Sequence, residues 1–128
     1  MKEDNKKEIT SNMKFTATHE WVKIEGNVAT IGISDYAASE MGDIVYVQLP
    51  EIGDALNADE AFAEVESVKA VSPVLSPVTG KVIEVNSEIA DSPELINANA
   101  FNAWFIKAEI EATSELISQE EYQKLIQK

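Results

Sequence analysis

The chain has 128 residues, enough for one domain with a modest core, and 45% of them are hydrophobic. Acids outnumber bases 23 to 10, and the formal net charge of −13 argues against nucleic acid and against an anionic membrane surface as partners. With no cysteine and one histidine, His19, the chain can form no disulfide, no thiolate nucleophile and no multi-histidine metal site of its own.

Residues 1–12 are polar and mixed in charge, lack an apolar signal core, and are too acidic for a typical mitochondrial transit peptide. They read as a flexible leader, with a folded domain over residues 13–128. No run approaches the length of a membrane span, and a cytoplasmic setting is expected. Phe15 to Ile24 and Asn27 to Ile33 read as two strands joined by a tight turn at Gly26-Asn27. His19-Glu20-Trp21 stands at the head of the first, and a lone histidine there reads as hydrogen-bonded at a strand edge. Ser34 caps a short helix over Asp35 to Met41, with Ala37, Ala38 and Met41 toward the core and Gly42 as the stop. Asp43 to Leu49 is a strand by its β-branched and aromatic content. Glu51 to Asp54 is a turn.

Ala61 to Ser67 and Ala70 to Leu75 form the next pair of strands, the second interrupted by Pro73. Ser76 to Gly80 reads as a turn, Lys81 to Val85 as a strand, and Asn86 to Asp91 as a loop or short strand. Ser92-Pro93-Glu94-Leu95 opens a short helix, with Ser92 as N-cap and Pro93 at the first position. Asn97 to Asn102 is a polar loop, and Trp104 to Ile110 is the last strand. Ser118 and Glu121 make a capping box for a terminal helix, whose stripe Tyr122, Leu125 and Ile126 is expected to lie across the sheets. Asn27 to Ile33 and Lys81 to Val85 are similar strands, without a clean sequence repeat. Many short strands with turn signals give a mainly β sandwich or flattened barrel with peripheral helices.

Catalysis by the chain itself has little support. The five glycines are scattered at turns and form no phosphate loop, and no serine sits in a nucleophile elbow. The abundant acids read as a solvated surface. One lysine stands out, in Val65-Glu66-Ser67-Val68-Lys69-Ala70-Val71. An ammonium cannot be buried unpaired among apolar neighbours, so Lys69 belongs at the tip of a turn between two strands. A lysine so displayed is either a solvated turn residue or a site of covalent modification. Its stem with a medium-length acyl chain would span about 14 Å, letting one carried group visit several enzymes.

The motifs then point to a known family. His19-Glu20-Trp21-Val22, Gly26 to Ile33, Asp35-Tyr36-Ala37, Gly42 to Val45, Leu49-Pro50, Gly53, Val65 to Ala70, Pro77 to Gly80, Val85-Asn86, Pro93 to Asn97 and Trp104 to Lys107 run in order along the chain. Together they resemble the H proteins of the glycine cleavage system. The resemblance implies a lipoyl-domain-like β-sandwich with short peripheral helices and a C-terminal helix. It implies a non-catalytic carrier with lipoate in amide linkage on Lys69, the site being recognised through Glu66, Ser67, Val68 and Ala70. Its partners would be a pyridoxal-phosphate glycine decarboxylase, a folate-dependent aminomethyltransferase, dihydrolipoyl dehydrogenase and the lipoyl-attaching enzymes. The loaded arm would dock in a cleft, with Glu20 facing the protonated aminomethyl nitrogen and Thr18 adding a hydrogen bond. A carrier that presents one arm to several enzymes is expected to be a monomer.

Three positions depart from the family pattern. Ser72-Pro73 stands where many members have Ser-Asp, Asn99 to Ala103 replaces a glycine-containing loop, and Ala63 replaces the glycine that usually follows Phe62. Three alternatives use the same lysine differently. One is a lipoyl donor or relay that serves other complexes. Another is a biotin carrier, against which the absence of flanking methionines counts. The last is a β-sandwich interaction module with Lys69 unmodified.

Overall fold

The computed structural model describes residues 13–127, so the leader expected over residues 1–12 lies outside the described residues. Two antiparallel sheets face each other, with short helices at their margins. The larger sheet has the order β1-β2-β3-β9-β8-β5, formed by Met13–Phe15, Glu20–Glu25, Val28–Ile33, Ile106–Thr113, Val78–Val85 and Ala55–Leu56. The smaller has the order β4-β6-β7, formed by Ile44–Gln48, Ala61–Ser67 and Val71–Leu75. The helices are α1 (Asp35–Met41), α2 (Ser87–Asp91), α3 (Glu94–Ala98) and α4 (Gln119–Ile126).

Alternation along β6 shows how the sandwich forms. Ala63, Val65 and Ser67 are buried while Ala61, Glu64 and Glu66 face solvent, so one face of the strand meets the larger sheet. The core joins Val22, Ile31, Val65, Val74, Val82, Phe105 and Ile106, each at most 2% exposed. Full burial of a side chain such as Phe105 stabilises the fold by roughly 1.5–3 kcal/mol. A second cluster of Met13, Phe15, Trp21 and Tyr122 lies at the β1 edge. The two similar strands, β3 and β8, both flank β9.

Ser34 caps α1 as expected, accepting the Ala37 amide at 3.1 Å, and β6 has the expected bounds. The capping box of Ser118 and Glu121 is also formed. The stripe on α4 is only partly used. Tyr122 is buried, Leu125 is 45% exposed, and the helix packs on β1 rather than across both sheets.

Elsewhere the structure departs from the pattern reading. The expected first strand breaks at Thr16 to His19, where the chain doubles back so that Phe15 pairs with Trp21. The Thr16 amide donates to Glu20 O and the His19 amide to Thr16 O, and His19 takes φ +79° to close the turn. The turn expected over Ser76 to Gly80 is confined to Ser76-Pro77, because the Ser76 hydroxyl bonds the backbone of Val78 and lets β8 begin there. Gly80 lies inside that strand at a bulge, where a Cβ would stand 1.8 Å from Glu109 O, so only glycine allows β8 and β9 to approach this closely.

Asn86 to Asp91 contains a helix, α2, because the Asn86 side chain accepts the Glu88 amide. The next helix begins later than Ser92 and runs to Ala98, with Pro93 at its cap. Asn97 is therefore helical, and its side chain accepts the Ile44 amide at 2.9 Å and donates to Gly42 O at 3.0 Å. The last strand starts at Ile106, two residues after Trp104, and β5 was not anticipated.

Candidate functional site

Lys69 stands at the tip of the turn between β6 and β7, and its side chain is exposed. The turn is held from inside by Ser67, which is 6% exposed. Its hydroxyl accepts the Lys69 amide at 3.2 Å and the Ala70 amide at 3.1 Å, while its own amide donates to Ala70 O at 2.8 Å. The Val68 amide donates to Asp43 O at 3.0 Å, tying the tip to the segment before β4. The Lys69 stem passes Gly42, which has φ +82° and from which a Cβ would be only 3.5 Å from Cε. Among the described residues no carboxylate pairs with the ammonium. Glu66, Val68 and Ala70, expected to mark the site, are exposed around it, whereas Ser67 faces inward and shapes the turn.

Beside this hairpin a cleft of about 320 Å³ runs between the two sheets and α1. Its apolar wall includes Ile33, Ala37, Met41, Val65 and Val74, and its polar wall includes Thr18, His19, Glu20 and Tyr36. Ser72 and Pro73 lie along it on β7. Pro73 is four residues from Lys69, about 13 Å of extended chain at ~3.3 Å per residue. An acyl-lysine arm about 14 Å long would be comparable with that span.

Glu20 is the buried acid of the site, 2% exposed. Its Oε1 accepts the hydroxyls of Thr16 and Thr18, each at 2.5 Å, and its Oε2 accepts the Leu75 amide at 3.1 Å. The Thr16 hydroxyl also accepts the Glu20 amide, so the residue is gripped at both ends. Burial pushes the Glu20 carboxyl above its usual value, and the hydrogen bonds from Thr16, Thr18 and Leu75 pull against that shift without overcoming it. Such a carboxylate, short of solvent and rich in donors on one side, attracts a cation entering from the cleft.

The cleft wall is anchored from the far end of the chain. The Tyr122 hydroxyl lies 2.8 Å from His19 Nδ1 and 2.6 Å from Ser34 Oγ. It has one proton, so it donates to one of these atoms and accepts from the other. Burial raises the Tyr122 phenol to about 12, so it stays protonated at any ordinary pH. The tyrosine ring stacks on Phe15 with centroids 4.3 Å apart. The structure thus brings the sequence-predicted Glu20 and Thr18 together at the cleft, with Lys69 at the hairpin tip beside it. It adds Thr16, Ser34, Tyr36 and Tyr122, which sequence reasoning did not single out for the site. Only the alternation Thr16-x-Thr18-x-Glu20 hinted at the first of these.

Three comparisons bear on this arrangement. The family model described as "Glycine cleavage H-protein" matches residues 13–128. A glycine cleavage system H protein of Treponema denticola is 56% identical over 107 residues, covering 84% of this chain and 88% of the relative. One of Staphylococcus epidermidis is 50% identical over 122 residues, covering 92% of this chain and 97% of the relative. The solved structure of a glycine cleavage system H protein from Mycobacterium marinum superposes with a TM-score of 0.85 at 36% identity, covering 89% of this chain and 95% of that one. With its lysine hairpin, its acid-lined cleft and a match along the whole folded region, the chain belongs to the glycine cleavage H-protein family.

Proposed function

We propose that the protein is a lipoyl carrier of the glycine cleavage system, a non-catalytic subunit whose attachment point is Lys69. The observation that carries this reading is an exposed lysine on a hydrogen-bonded turn, beside a cleft with one apolar and one polar wall. The residues present fit the group. The apolar wall suits a hydrocarbon arm ending in a dithiolane, and the Lys69 amine is free to form an amide. When bound, the lipoyl group would supply a disulfide able to accept an aminomethyl group from the pyridoxal-phosphate glycine decarboxylase, and the dithiol left after its passage to the folate-dependent aminomethyltransferase would be the species that dihydrolipoyl dehydrogenase reoxidises.

The chain's own residues do three things. Ser67 fixes the turn, so that Lys69 is presented with Glu66, Val68 and Ala70 around it for the attaching enzyme. Ile33, Met41, Val65 and Val74 keep water from the docked arm. Glu20 holds the cationic nitrogen of the aminomethyl cargo, and Thr18 orients the carboxylate.

The test is intact mass and peptide mapping of protein made in a lipoylation-competent host supplied with lipoate. One lipoyl increment on the Lys69 peptide is expected. Its absence there, with lipoate incorporated into other proteins of the same cells, rejects the reading.

A further inference from the structure

The outer face of the smaller sheet carries apolar side chains that no described part of the chain covers. The register of β4, β6 and β7 sets Tyr46, Glu66 and Val71 side by side, and Tyr46 and Val71 are 52% and 58% exposed. Val68, at the hairpin tip, is 70% exposed. Val45 is 52% exposed, although its neighbour Tyr46 also faces out. Successive strand residues normally point to opposite faces, but the register shifts between Ile44 and Tyr46. That irregularity turns both Val45 and Tyr46 into solvent while Ile44 and Val47 stay buried. Scattered exposed apolar residues need no explanation, but here the backbone is distorted to add one to a group beside the lysine.

Building on the reading of Lys69 as a lipoyl site, we infer that this face is the docking surface of the enzyme that joins the lipoyl group to Lys69. The partner surface is apolar where it meets Val45, Tyr46, Val68 and Val71 and carries a Lys or Arg where it meets Glu66. Reach selects this occupant. An unmodified lysine extends only about 6 Å from its Cα, so an enzyme acting on its nitrogen must close on the flanks of the hairpin. Enzymes that meet the acylated arm do so about 14 Å out and have no such need.

Charge selects the sign. Glu66 stands exposed between Tyr46 and Val71, with Glu64 two residues away on the same face of β6, on a chain of net charge −13. A basic partner is attracted, and a second copy of this acidic face is repelled. The position also leaves the cleft clear, because Val65 and Val74 line it from the opposite side of the sheet.

The experiment uses the unmodified full chain with lipoate, ATP and a lipoate–protein ligase. Acylation joins the Lys69 nitrogen to the acyl carbon of lipoyl adenylate, expels AMP and releases a proton, and the product is read by mass on the Lys69 peptide. Tyr46→Ala and Val45→Asp are each expected to raise KM for the carrier about tenfold with kcat little changed, as for residues at the centre of an interface. Both positions are half exposed, and matching thermal melts confirm the fold. Ile83→Ala, at a 40% exposed apolar site on β8 of the other sheet, leaves the kinetics unchanged. Added salt raises KM for the unaltered chain.

Unchanged kcat/KM in both face variants, while the unaltered chain is acylated on Lys69, overturns the inference and leaves the carrier reading standing. No acylation of the unaltered chain overturns both. A concentration-dependent dimer in sedimentation that Val45→Asp dissolves assigns the face to a second copy and likewise overturns the inference.

Discussion

Replacing Glu20 by Gln separates two opposing effects at the heart of the cleft. The carboxylate accepts two hydroxyls on Oε1 and the Leu75 amide on Oε2. Glutamine can keep its oxygen on Thr16 and Thr18, but its amino group then meets the Leu75 N–H, donor against donor. A buried amide left unpaired costs about 1–3 kcal/mol. The wild-type chain carries a different penalty, since burial raises the carboxyl above the usual 4.5.

The sign follows from proton binding. Between the unfolded and folded values the folded chain holds more protons than the unfolded one, so the Glu20 contribution to stability falls as pH rises through that window. Glutamine does not titrate, and the repulsion among the remaining acids is nearly common to both proteins. The deficit of Glu20→Gln is therefore largest at the acid end of the window and shrinks as pH rises. Urea unfolding at intervals from about pH 5 to about pH 8, analysed as the difference between the two proteins, measures it. A deficit that stays constant or grows across that range refutes the reasoning. It would mean that the donors around Glu20 match or outweigh its loss of solvent, so that its carboxyl is not raised.

Other perturbations have equally definite outcomes. Glu20→Gln is expected to release the aminomethyl cargo about tenfold faster or more, the effect of losing a hydrogen bond to a charged group, and an unchanged decay rate of the loaded form removes Glu20 from its retention. Lys69→Arg leaves unfolding within about 0.5 kcal/mol of wild type because the side chain is exposed, yet takes up no lipoyl group by mass. A large loss of stability there would contradict the turn-tip placement. Tyr122→Phe keeps the stack on Phe15 but removes the hydroxyl that joins His19 to Ser34, costing about 1–3 kcal/mol in urea unfolding at ~0.5–1.5 per bond. Gly80→Ala forces a methyl into Glu109 O and costs about 3 kcal/mol or more, with soluble yield as the simplest readout.

The β-sandwich was legible wherever period and cap agreed. The strand at Ala61–Ser67, helix α1 and the capping box of α4 follow from alternation and from Ser34 and Ser118. What pattern could not supply was a turn with no turn residue to mark it. The break at Thr16 to His19 has no glycine or proline to announce it. It depends on the Thr16 hydroxyl serving Glu20 at two atoms and on a histidine in a left-handed conformation. The reverse error occurred at Gly80, which reads as a turn residue and is instead a point of strand contact.

At the site, the placement of Lys69 at a turn tip followed from its sequence context, and the His19-Glu20-Trp21 motif drew attention to Glu20. Nothing pointed to Tyr122 as a site residue, since its helical spacing described the ring and said nothing of the hydroxyl. That hydroxyl finds its partners 103 and 88 residues away.

Pro73, a departure from the family pattern, has a consequence for the edge of the smaller sheet. Among the described residues strand β7 has a neighbour on one side only, and a bare edge invites another chain to add to it. The Leu75 amide points off that edge and is taken by Glu20. By strand alternation the amide position at Pro73 points the same way, and proline has no hydrogen to offer there. Of the three outward positions at 71, 73 and 75, only Val71 can donate to an incoming strand. The open edge beside the lysine hairpin is thereby a poor template for a second copy of the chain in a crowded solution.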